Sequence, residues 1–77
     1  MPVVIFTSWA KQTEIIKWYA GQPFPNVDLK KITHIRMNDE ELDVYLPLFR
    51  DLKQKWIGQY VYFAYPESHL IYKSLAR

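Results

Sequence analysis

The chain contains no cysteine and only two glycines among its 77 residues. Without a thiol there can be no disulfide, no thiolate nucleophile and no cysteine-ligated zinc. A small secreted domain usually depends on disulfides, so their absence points to a reducing, cytoplasmic setting. Gly21 and Gly58 stand far apart, which excludes a glycine-rich phosphate loop. Long apolar runs are missing too: the opening stretch Val3-Val4-Ile5-Phe6 ends after a few residues, too short to cross a bilayer. The start lacks the basic leader and small-residue cleavage site of a signal peptide. Charge is nearly balanced, with 10 Lys and Arg against 8 Asp and Glu. A dedicated duplex-DNA binder carries a stronger and clustered positive excess.

What is present is apolar and aromatic surface. Hydrophobic residues make up 49% of the chain and aromatics 17%, enough for the single core that a chain of this size can form. Residues 1–77 therefore read as one small α/β domain.

Residues 2–7 are apolar and mostly β-branched without alternation, the pattern of a central strand covered on both faces. Thr7 or Ser8 is positioned to cap a helix from Trp9 to Ala20, whose inner face would carry Trp9, Gln12, Ile15, Ile16 and Tyr19, with Gly21 ending it. Pro23 and Pro25 make the next stretch a loop. Residues 27–37 alternate as a half-exposed strand, with Val27, Leu29, Thr33, Ile35 and Met37 on one side and Lys30, Ile32, His34 and Arg36 on the other. Asn38 with Glu41 forms a capping-box start. The stripe Leu42, Leu46, Phe49, Leu52 and Trp56 keeps helical spacing, and Pro47 predicts a kink or a break into two helices. Tyr60–Tyr65 is a third strand. Pro66-Glu67-Ser68 opens a last helix with Leu70, Ile71 and Leu75 as its apolar face, the rival being a terminal β-hairpin. The order β-α-β-α-β-α predicts a small three-stranded, mostly parallel sheet with the first strand in the middle, order 2-1-3.

The stretch Val4-Ile5-Phe6-Thr7-Ser8-Trp9 resembles the first strand and turn of thioredoxin-like proteins. The resemblance covers only that stretch, and the family's cysteine pair is absent from this chain.

Three function classes compete. Trp9, Trp18, Tyr19, Phe24 and Trp56 lie on or beside helices and the proline loop, and Trp and Tyr dominate protein-interface hot spots. They suggest a non-catalytic interaction module, a small adaptor or inhibitor of a larger protein, with a homodimer as a related outcome. Compact inhibitors of this size are common among phage and mobile-element proteins. The second class is a single-stranded nucleic-acid binder, with Lys30, His34 and Arg36 reaching phosphates and Tyr60 and Tyr62 stacking on bases. The third is a small enzyme at the Ser8/His69 edge, outside the carboxyl ends of the strands, where Ser68 also falls. The plainer reading makes the serines helix caps. Neither the two histidines nor Asp39-Glu40-Glu41-Leu42-Asp43 has metal-ligand spacing, and no cofactor is implied.

Overall fold

The computed structural model describes residues 2–48, 51, 54–66 and 70–75. Strand β1, Val3–Thr7, is buried at every position. Its unbroken apolar run leaves no solvent face, so it takes the middle of the sheet. Strand β2, Ile32–Arg36, pairs with it in parallel on one side, and strand β3, Tyr60–Tyr65, in parallel on the other. This is the 2-1-3 parallel arrangement expected from the sequence.

A fourth strand extends it. Residues Leu70–Leu75 form β4, antiparallel to β3, giving the order β2-β1-β3-β4. The terminal helix is thus replaced by the hairpin alternative. The competing elements share one signal, because Pro66 followed by the polar Glu67 and Ser68 suits a turn as well as a helix start. Pairing with β3 satisfies the outer backbone groups of a strand that would otherwise be left as a sheet edge.

Helix α1, Gln12–Ala20, starts later than the sequence suggests, and the N-cap residue before it, Lys11, supplies no side-chain cap. Thr7 accounts for the delay. Its buried Oγ1 accepts from the Trp9 N–H at 3.3 Å, turning the chain before the helix begins. Strand β2 is also shorter than the alternation implies. Asp28 Oδ1 accepts from the Lys30 N–H at 3.0 Å, and this Asx-type turn winds Leu29–Lys31 into a single 3₁₀ turn. Lys30 accordingly sits ahead of β2 rather than on it. Val27 and Leu29 pack on the opposite sheet face from Ile35 and Met37, because no continuous strand joins the two pairs.

Helix α2, Asp39–Tyr45, opens with the complete capping box: Asn38 accepts from the Glu41 N–H at 2.8 Å and Glu41 Oε1 accepts from the Asn38 N–H at 3.4 Å. It passes into a 3₁₀ turn at Leu46–Leu48 around Pro47, where the ring and the missing N–H break the regular ladder. Gly58 stands at φ 84° just before β3, a conformation that costs glycine nothing.

The helices cover opposite faces of the sheet. Ile15 and Tyr19 of α1 pack with Val3, Ile5, Ile32, Tyr62 and Ala64. Leu42 of α2 packs with Val4, Phe6, Val61, Phe63 and Tyr65, joined at the edge by Leu46 and Trp56. Phe6 and Phe63 stack across neighbouring strands with centroids 4.8 Å apart, worth about 0.5–1.5 kcal/mol beyond their burial. Phe49 and Leu52 of the predicted stripe lie outside the described residues.

Candidate interaction surface

Four of the five residues expected at a partner surface come together, and the fifth does not. Trp9 and Trp18 lie 5.6 Å apart between ring centroids. Trp18 meets Phe24 at 5.5 Å, Phe24 meets Tyr19 at 5.1 Å, and Phe24 meets Tyr62 at 4.4 Å. These rings form one connected layer beside α1, with Tyr60 reached through Tyr62 at 6.5 Å. Trp56 belongs to the opposite face, where Lys55 Nζ sits 5.6 Å from its ring centroid. The aromatic surplus therefore serves packing first. Tyr19 and Tyr62 are buried, while Trp9, Trp18 and Phe24 are half-buried against the same cluster.

Hydroxyl groups tie this layer to the proline loop. The Tyr62 ring meets the Tyr19 ring edge to face at 5.8 Å between centroids, and the Tyr19 hydroxyl donates to the Pro25 carbonyl at 3.0 Å. Burial pushes the ionisation of both tyrosines upward, since a phenolate in this layer would lose its hydration. For Tyr62 the neighbouring Tyr19 adds to the rise, and its accepting hydroxyl favours the protonated donor.

The proposed nucleic-acid set is divided by the same packing. By register His34 and Tyr62 flank Ile5 on either side of β1, so they share a sheet face, yet that face is the one α1 covers. Tyr62 is only 1% exposed and has no ring face free for a base. His34 is half-buried and its Nε2 is buried without a hydrogen-bond partner. Lys30 and Arg36 are exposed at opposite ends of β2, and Tyr60 is half-buried.

At the carboxyl ends of β1 and β2, Ser8 shares a shallow open hollow with Arg36, Asn38, Asp39 and Glu40. Ser68 and His69, the other members of the proposed catalytic edge, lie outside the described residues. No three His, Asp or Glu side chains gather into a metal-binding group among the described residues. No described helix is long and apolar enough to cross a membrane.

Apart from Ile57, the large apolar side chains exposed among the described residues lie elsewhere, on α2 and the turn after it. Leu42 and Leu46 point to the sheet. Asp43 is held by the Tyr65 hydroxyl, which donates to its Oδ1 at 3.1 Å. Off that stripe, Val44 is 65% exposed, Leu48 46% and Tyr45 37%. Val44 and Tyr45 line a hollow of about 360 Å³ together with Asn38, Glu40 and Glu41. The sequence carried a signal for this face: Val44 and Leu48 are four apart and off the inner stripe, the spacing of a second apolar row on the same helix.

Comparison with protein-family models, with curated proteins and with solved structures returned no match to this chain.

Proposed function

We propose that this domain is a non-catalytic interaction module, a small adaptor or inhibitor that binds a larger protein. The observation that supports this reading most directly is the outward apolar row of α2. The domain buries fully apolar surfaces on both sheet faces and still leaves Val44, Tyr45 and Leu48 in solvent. A row of this kind, flanked by charged side chains, marks a surface that another protein covers. The half-buried Trp9, Trp18 and Phe24 beside α1 offer a second aromatic rim for the same kind of partner.

The test is capture of partners from native lysate on the immobilised domain, with and without nuclease. A partner protein that survives nuclease, and that binds the domain saturably once purified, supports the reading. Loss of every partner on nuclease treatment, with direct binding to single-stranded oligonucleotides at physiological salt, would overturn it in favour of nucleic acid.

A further inference from the structure

We propose that the outer face of α2 docks a basic amphipathic segment of the partner, with apolar side chains seated on Val44, Tyr45 and Leu48 and an arginine or lysine in the hollow beside Glu40 and Glu41. This rests on the interaction-module reading and goes beyond it by naming the partner's chemistry.

The charge distribution selects that occupant. Helix α2 carries Asp39, Glu40, Glu41 and Asp43, four of the chain's eight acidic residues, and no basic one. None of the ten lysines and arginines is on α2 itself, and Arg36 shares the other hollow with Asp39 and Glu40. Folding accounts for part of the acidity. Glu41 closes the capping box and Asp43 accepts from Tyr65, while carboxylates in a first turn suit the helix dipole. Folding does not account for the apolar side chains placed next to them. Glu40 and Glu41 stand one turn before Val44 and Tyr45 and line the same hollow. A long basic side chain satisfies both halves of that hollow, with its methylene stem against Val44 and the Tyr45 ring and its cation against the carboxylates. An acidic partner would be repelled, and a purely apolar one would leave the carboxylates facing it without a counter-charge. A second copy of this chain is a poor fit. Among the described residues outside α2 and its 3₁₀ turn, Ile57 is the one large apolar side chain left exposed, so those residues offer no second apolar row to pair with this one.

The probe is a fluorescently labelled amphipathic helical peptide of leucine and arginine, compared with a counterpart in which glutamate replaces arginine. Anisotropy titrations should show the arginine peptide binding about tenfold or more tightly than the glutamate one, and weakening as salt is raised. Val44→Asp and Glu40→Lys should each weaken it about tenfold or more. Glu14→Lys changes net charge by the same amount as Glu40→Lys but on exposed α1 surface, and should leave binding unchanged. Circular dichroism checks that each variant is folded, and both test positions are exposed. Equal binding of the two peptides, or parental binding by both Val44→Asp and Glu40→Lys, would overturn the proposal. So would a self-association seen by sedimentation equilibrium that Val44→Asp abolishes, because a second copy would then own the face. If a nuclease-resistant partner binds both variants normally, the docking site falls while the interaction-module reading stands.

Discussion

The Tyr19 hydroxyl donates to the Pro25 carbonyl at 3.0 Å, so the proline loop is fastened to α1 by a single buried side chain. Tyr62 of β3 packs edge to face on the same ring at 5.8 Å between centroids. Helix, loop and sheet thereby meet at one side chain.

Removing that oxygen should be felt twice. Tyr19→Phe leaves the Pro25 carbonyl without its donor and takes away the polar neighbour of the buried Tyr62 hydroxyl, a loss of about 1–3 kcal/mol. In a domain of this size each kcal/mol lowers Tm by roughly 4–8 °C. Because one deletion orphans the other group, the Tyr19→Phe/Tyr62→Phe pair should cost less than the sum of the single changes. Strict additivity in thermal or denaturant unfolding would show that the two hydroxyls are not linked.

The α2 face of the core hangs on Leu42, which is fully buried between Val4, Phe6, Val61 and Phe63. Leu42→Ala should cost about 2–5 kcal/mol through lost transfer energy and the cavity left behind. A small domain has about 5–15 kcal/mol in total, so this change takes a large part of its stability. A denaturant midpoint close to that of the parent would mean that α2 is not docked by this residue.

Two candidate caps separate cleanly. Asn38 holds the Glu41 N–H at 2.8 Å, so Asn38→Ala should lose about 0.5–2 kcal/mol. Ser8 precedes a helix that starts at Gln12 and caps nothing in it, so Ser8→Ala should stay within about 0.5 kcal/mol of the parent. Urea unfolding of the two variants checks the contrast, and equal losses would place the α1 start wrongly.

How far these features could be read in advance depends on whether one residue pattern serves one structure. The solid run from Val3 to Phe6 has a single stable solution, a strand buried on both faces, and it placed β1 at the centre. Asn38 and Glu41 likewise specify a capping box and little else, and Pro47 marks a break in regular helix, with helical residues again at 51, 54 and 55. The failures fall where signals are shared. Alternation from Val27 to Met37 suits a strand, yet Asp28 offers its carboxylate to the chain two residues on, and the local bond wins. Pro66 opens hairpins and helices alike. For the interaction surface, composition counted tryptophans and tyrosines but could not say which way they turn. Trp18 proved to be part of the layer over the sheet, and exposed apolar side chains include Val44, Leu48 and Ile57, which composition does not distinguish from core residues.

Alkaline pH should unfold this domain earlier than its lysines alone would dictate. Burial above all, then the proximity and accepting hydroxyl of Tyr19, raise the ionisation of Tyr62 beyond the 10.0 at which an unfolded tyrosine titrates. Tyr19 is raised as well, chiefly by burial. Below pH 10 both the folded and unfolded chains hold these protons, and the contribution to stability is fully present. As pH climbs past 10 the unfolded chain releases them first, so its free energy falls while that of the folded state does not. Each such tyrosine then removes up to about 1.4 kcal/mol of stability per pH unit, until the folded state also titrates. Urea midpoints taken between about pH 8 and pH 11 should therefore drop for the parent. Tyr62→Phe, which has no proton to lose, should start lower but follow a shallower slope over the same range. Because lysines ionise near this pH in both proteins, the difference between the two slopes is the quantity to measure. Parallel slopes would show that Tyr62 ionises as readily in the folded protein as in the unfolded chain, and that the tyrosine layer is open to water.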